Sequence, residues 1–162
     1  MLLIDGYNLL FASRRGRIDF RELDTERERL LTLLHHYCRL CGKRAIVIFD
    51  HTKGPPVYGV ALRQSLGEIE YRFTPEGVTA DEEIIAMLEH TKDITAYTIV
   101  SSDRAITGAA EENRMQFILS KDFAADVVRV LRGDDERLPE RELTDSEVDY
   151  WLKEFGIDEK GE

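Results

Sequence analysis

Several acidic residues in this chain stand where carboxylates could meet. Asp5 follows the apolar run Leu2-Leu3-Ile4, and Asp50 follows Ala45-Ile46-Val47-Ile48-Phe49. Asp103 follows Tyr97-Thr98-Ile99-Val100-Ser101-Ser102, and Asp81 and Glu82 come directly after Thr79-Ala80. A carboxylate at the C-terminal end of a buried strand points into the crevice where open α/β sheets hold their ligands. Oxygen-only donors suit Mg2+ or Mn2+, hard cations that retain several waters and need only a few convergent carboxylates. Such ions can activate a water and stabilise the leaving oxygen of a phosphodiester. Each acid also has a plainer reading. Asp after a strand is a common turn residue, and Asp81 and Glu82 could serve only to start a helix. Asp5 has the strongest case for chemistry. Its run is apolar on both faces, as in a central parallel strand, and Gly6 behind it permits a sharp turn.

The elements that would position these acids can be read around them. Asn8 to Ile18 reads as a loop or short helical start. Asp24-Thr25-Glu26-Arg27 opens a long amphipathic helix with Leu30, Leu33, Leu34, Tyr37 and Leu40 at helical spacing, ended by Gly42. A second strand follows at once. Gly54, Pro55, Pro56 and Gly59 predict a loop, with a short helical or irregular piece at Val60–Leu66. Ile69-Glu70-Tyr71-Arg72-Phe73 alternates and is expected at the sheet edge. The spacing Thr79-x-x-Glu82 is a capping box, and the helix behind it sends Ile84, Ile85, Met87 and Leu88 inward. A fourth strand covers Tyr97–Val100, a helix runs from Asp103 to Glu112, and Gln116–Leu119 is a fifth strand. Ser120 is expected to cap a last core helix, Asp122–Leu131. The alternation predicts a three-layer α/β/α sandwich.

The chain has 162 residues, enough for one domain with a substantial core. Residues 134–162 hold twelve acids and four bases, a net of −8, whereas residues 1–133 hold twenty acids and eighteen bases, a net of −2. The formal charge of −10 therefore belongs mostly to the C-terminal end. The expected division is a domain over residues 1–133 and an acidic extension over residues 134–162. That extension carries a second capping box at Leu143-Thr144-Asp145-Ser146-Glu147, then Val148, Trp151, Leu152 and Phe155 at helical spacing. This helix is expected to dock on its own domain or on a partner. Arg14-Arg15-Gly16-Arg17 is the best candidate basic patch, although a solvated loop explains it equally well. Cys38 and Cys41 have Cys-x-x-Cys spacing but sit late in a helix without a second pair, so they read as packing thiols. No apolar run approaches a membrane span, which predicts a cytoplasmic chain with no membrane partner.

Ile4-Asp5-Gly6-Tyr7-Asn8, Val47-Ile48-Phe49-Asp50, Thr79-Ala80-Asp81-Glu82 and Ser101-Ser102-Asp103 together resemble the YacP-type branch of NYN domains, within the PIN-like nuclease superfamily. The resemblance runs from about Met1 to about Leu131. It implies a mainly parallel five-stranded sheet of order 3-2-1-4-5 and metal-dependent cleavage of single-stranded RNA. It implies Asp5, Asp81 and Asp103 as the metal ligands and catalytic acids, with Asp50 as a fourth recurrent acid. By the same resemblance Asn8 and Ser102 lie near the pocket and could hold a ligand, water or phosphate. Bacterial members of the branch are linked to mRNA decay on the ribosome, which makes the ribosome a candidate partner.

The expected activity is therefore a metal-dependent endoribonuclease working through water and no covalent enzyme intermediate. Asp50 and Glu82 are expected as outer or second-metal ligands, and Arg14, Arg15, Arg17 and Arg104 as guides for the RNA backbone. One rival is a non-catalytic RNA- or ribosome-binding domain of the same fold. Another is a phosphoacceptor receiver domain using Asp5, Asp50, Ser101 and Lys121, but such a domain needs two adjacent acids where this chain has Asp5-Gly6. The cleavage motif and the oligomeric state are left open by the sequence.

Overall fold

The computed structural model describes residues 1–13, 18–53 and 63–134, together with single positions 136, 146 and 149. Arg14, Arg15 and Arg17, the Gly54–Gly59 loop and the helix around Trp151 lie outside the described residues.

Six strands form one sheet. β1 is Leu2–Asp5, β2 Ala45–Phe49, β3 Arg63–Leu66, β4 Ile69–Phe73, β5 Thr98–Val100 and β6 Gln116–Ile118. Their order is β3-β4-β2-β1-β5-β6, parallel throughout except for the β3–β4 pair. Among the described residues, five α-helices cover the sheet: α1 Gly6–Ser13, α2 Leu23–Cys41, α3 Ala80–His90, α4 Arg104–Glu112 and α5 Ser120–Leu131.

Alternation along the strands divides the core in two, because successive side chains of a strand point to opposite faces. Leu2, Ile4, Val47, Phe49, Ile69 and Val100 pack with α1, α2 and α5, where Leu30, Leu34, Tyr37 and Phe123 fill the layer. Leu3, Ile48 and Ile99 pack with Ile84 and Leu88 of α3 and Ile106 and Ala110 of α4. The three-layer sandwich and the central position of β1 agree with the sequence reading.

Three expectations need correction. Ile69–Phe73 is not the edge strand, since β3 pairs with it antiparallel on its outer side. Residues 63–66, expected to be helical or irregular, form that extra strand. Every residue of β3 is exposed, so it carries no apolar alternation to betray it. With β3 set aside, the parallel strands have the implied order 3-2-1-4-5. The third correction concerns Ser120, which lies inside α5 rather than capping it. The residue before the helix is Leu119, with no side-chain cap, and the Ser120 hydroxyl points elsewhere.

Candidate metal and phosphate site

β1 and β5 are neighbours, with Ile4 opposite Val100. One residue further, Asp5 and Ser101 leave the ladder side by side. Asp5 is 9% exposed, and Ser101 is fully buried. The Ser101 hydroxyl donates to Asp5 Oδ2 at 3.4 Å, a long contact, and accepts the Asp103 N–H at 3.1 Å. Asp5 Oδ1 accepts the Asn8 N–H at 3.3 Å.

This setting pushes the Asp5 carboxyl up from 3.8 to about 6. Burial is the main cause, since it disfavours the charged form. The bonds from Asn8 and Ser101 oppose it, and the negative charges of Asp103 and Asp81 add to it. Asp103 and Asp81 therefore stand close enough to repel Asp5, although they come from different elements.

Asp103 is the N-cap of α4, its Oδ1 accepting the N–H groups of Ala105 at 2.8 Å and Ile106 at 3.2 Å. Asp81 lies in the first turn of α3, where the helix dipole favours a carboxylate. Glu82, in the same turn, completes the expected capping box. Its Oε2 accepts the Thr79 N–H at 2.9 Å while Thr79 Oγ1 accepts the Glu82 N–H at 3.3 Å. Asp50 is engaged differently. Its Oδ1 accepts both the Thr52 N–H at 2.9 Å and the Thr52 hydroxyl at 2.6 Å. Burial works to raise its carboxyl, but bonds from Thr52 and the Ala80 N–H, with His51 nearby, leave it below the ordinary carboxylate value. In this structure Asp50 thus organises the loop after β2, and Glu82 caps α3.

Asn8 and Ser102 meet beside these acids. Asn8 Oδ1 accepts the Ser102 N–H at 2.8 Å and the Ser120 hydroxyl at 2.7 Å, and the Ser120 N–H donates to Ser102 Oγ at 3.0 Å. Ser120 is fully buried. It was expected only as a helix cap, and nothing in the sequence marks a partner 112 residues away. Ser101 was likewise missed as a link between Asp5 and Asp103. Arg104 is exposed at the start of α4.

A divalent cation fits this donor set by type. The donors are carboxylate oxygens, and a positive charge would relieve both the burial and the mutual repulsion that hold Asp5 toward its protonated form. Among the described residues, no three His, Cys, Asp or Glu side chains are grouped closely enough to hold a metal ion. The acids sense one another without completing a coordination shell.

Two further arrangements hold the crevice. Arg27, buried on α2, donates to the Tyr7 hydroxyl at 3.2 Å and to Asp24 at 2.8 Å, with its guanidinium 4.9 Å from the Phe73 ring centre. Arg72 on β4 meets Glu83 of α3 at 2.9 Å through Nε, a charge contact without an aligned hydrogen bond. It fixes the helix that carries Asp81.

Comparisons with known proteins agree with this architecture. The uncharacterized protein YacP of Bacillus subtilis (strain 168) is 30% identical over 105 residues, covering 64% of this chain and 60% of that protein. The alignment thus spans less than two thirds of that relative's length. The crystal structure of Rae1 (YacP) from Bacillus subtilis superposes with a TM-score of 0.65 at 26% identity, over 85% of this chain and 78% of that one. A tryptophan-to-leucine mutant of Rae1 gives a TM-score of 0.63 at 22% identity, over 82% and 79%. A sequence model of the YacP-like NYN domain matches residues 2–154, and the chain belongs to that family.

Proposed function

We propose that this chain is a divalent-metal-dependent endoribonuclease acting on single-stranded RNA. The observation that carries the reading is the buried Asp5 carboxylate at the end of the central strand, bonded to Asn8 and to Ser101, whose hydroxyl also meets Asp103. Such a cluster is unfavourable for a fold alone, and it has the composition that binds hard cations. Membership of a PIN-like nuclease family supports the reaction class, and the same membership supports RNA as substrate.

In this reading Asp5, Asp81 and Asp103 hold Mg2+ or Mn2+, with Asp50 and Glu82 as outer ligands. When bound, the ion supplies a Lewis acid that activates water and balances charge at phosphorus. The chain's own residues do the positioning. Asp5 is fixed by Asn8 and Ser101, and Asp103 is oriented by its bonds to the α4 N-terminus. Asp81 is carried by a capped helix pinned through Glu83 and Arg72. Asn8 and Ser102 contact the substrate, and Arg14, Arg15, Arg17 and Arg104 guide its backbone by charge. Residues 1–133 form the nuclease domain, and residues 134–162 are its acidic extension. The RNA is mRNA, and the ribosome is the partner that presents it.

Cleavage of labelled single-stranded RNA with Mn2+ or Mg2+ tests the reading, comparing wild type with Asp5→Asn and Asp81→Asn. Metal-dependent cutting by wild type, lost in both variants, supports it. Wild type that binds metal but cuts only when ribosomes are added assigns the ribosome an essential role. Wild type that binds RNA without metal and cuts under neither condition favours a non-catalytic RNA-binding domain.

A further inference from the structure

The carboxamide of Asn8 has only one orientation compatible with its surroundings. The Ser102 backbone N–H can only donate, so the atom it meets at 2.8 Å must be Oδ1. The Ser120 hydroxyl occupies the second acceptor position of that oxygen at 2.7 Å. Among the described residues, Asn8 Nδ2 has no hydrogen-bond partner, and it is the group left to act on anything that binds. The same argument applies to Ser102. Its hydroxyl oxygen accepts the Ser120 N–H at 3.0 Å, so its own proton is free to be directed outward, and the residue is exposed.

One residue reinforces both orientations. Ser120 uses its side chain on Asn8 and its backbone on Ser102, and it is itself wholly buried and beyond reach of a substrate. The result is a pair of neutral donors, with their acceptor atoms turned inward, beside a cluster of carboxylates. Donors without acceptors match a phosphate oxygen and disfavour a cation, so this side of the crevice complements the acids.

We infer that Ser120 is a positioning residue for substrate binding. It holds the Asn8 amide and the Ser102 hydroxyl as a two-donor cradle for a non-bridging phosphate oxygen of the RNA strand. The inference rests on the nuclease reading above and assigns these residues to substrate rather than to metal. Losing the Ser120 hydroxyl leaves the Asn8 oxygen held by the Ser102 N–H alone, which loosens the amide, weakens binding and leaves the carboxylates in place.

Steady-state cleavage of a short single-stranded RNA with Mn2+ tests this with Ser120→Ala, Asn8→Ala and the double variant. Mn2+ affinity by titration calorimetry and thermal melting accompany each. Ser120→Ala should raise KM about fivefold to tenfold, as loss of one oriented hydrogen bond predicts. Its kcat, Mn2+ affinity and melting temperature should stay near wild type. Because Ser120 acts through Asn8, the double variant should be no worse than Asn8→Ala alone. A KM unchanged in Ser120→Ala overturns the cradle while leaving the nuclease reading intact. So do effects that multiply in the double variant, or a fall in Mn2+ affinity that follows KM. A wild type that cuts no RNA with any divalent ion, with or without ribosomes, overturns the nuclease reading and the cradle together.

Discussion

The ring of Phe49 occupies the space that a side chain at Gly6 would need. A Cβ there would lie 2.3 Å from Phe49 Cε1 and 2.5 Å from Cδ1. Gly6 follows the candidate ligand Asp5, and Phe49 precedes Asp50, so the close approach ties the ends of β1 and β2 together. The glycine at this strand end therefore serves contact rather than a left-handed turn, as its φ is not among the positive ones. Gly6→Ala should destabilise the fold by about 1–3 kcal/mol through overpacking. Urea denaturation measures this, and Phe49→Leu should recover part of the loss. An unaffected midpoint would show that the ring moves aside freely.

Asp5 should be a stability liability at neutral pH. Its folded-state pKa of about 6 lies above the ordinary 3.8, so the folded chain holds the proton more tightly than the unfolded one. Its contribution is fully present below the unfolded value and is lost as pH rises through about 6. Asp5→Asn should then be more stable than wild type at about pH 7.5 without divalent ions, by roughly 1–3 kcal/mol. That advantage should shrink as pH falls toward the ordinary carboxylate range. A variant less stable than wild type at neutral pH would contradict the burial and repulsion described for this carboxylate.

Divalent ions should reverse that order. Mn2+ or Mg2+ binding to the folded chain alone raises its melting temperature by mass action. Wild type should gain with added ion and lose the gain on chelation, whereas Asp5→Asn should respond little. Equal shifts in the two proteins would place the ion elsewhere.

Glu83 and Arg72 hold α3 against the sheet at side-chain exposures of 19% and 11%. Removing one partner of a largely buried pair strands the other charge. Glu83→Gln should cost about 1–3 kcal/mol, whereas Arg63→Ala should cost less than about 0.5 kcal/mol, because Arg63 meets Glu70 in solvent. Denaturation midpoints compare them directly. Similar losses in both would remove the distinction between a buried clamp and a surface pair.

Cys38 and Cys41 should not behave as a redox pair. Neither forms a disulfide, and burial, with Cys41 and Glu68 close by, pushes the Cys38 thiol up to about 12. An aromatic disulfide reagent at about pH 8 should label Cys38 in the native chain only on unfolding. Rapid labelling of both thiols would show that the helix opens around them.

The sequence by itself was enough for the layers. Apolar runs ending in Asp mark buried strands, and periodic Leu and Ile mark helix faces, because both signals arise from neighbours along the chain. The capping box at Thr79 and Glu82 was legible for the same reason, since its two bonds close within one helical turn. Local pattern could not reveal β3, whose exposed residues carry no alternation and whose strand character comes from pairing with β4. Nor could it show that Gly6 makes room for Phe49, or that Ser120 reaches Asn8 instead of capping its own helix. Only the tertiary structure brings the charges of Asp103 and Asp81 onto Asp5. Burial and repulsion depend on distances through space, which residues 76 and 98 positions away along the chain acquire only when the sheet forms.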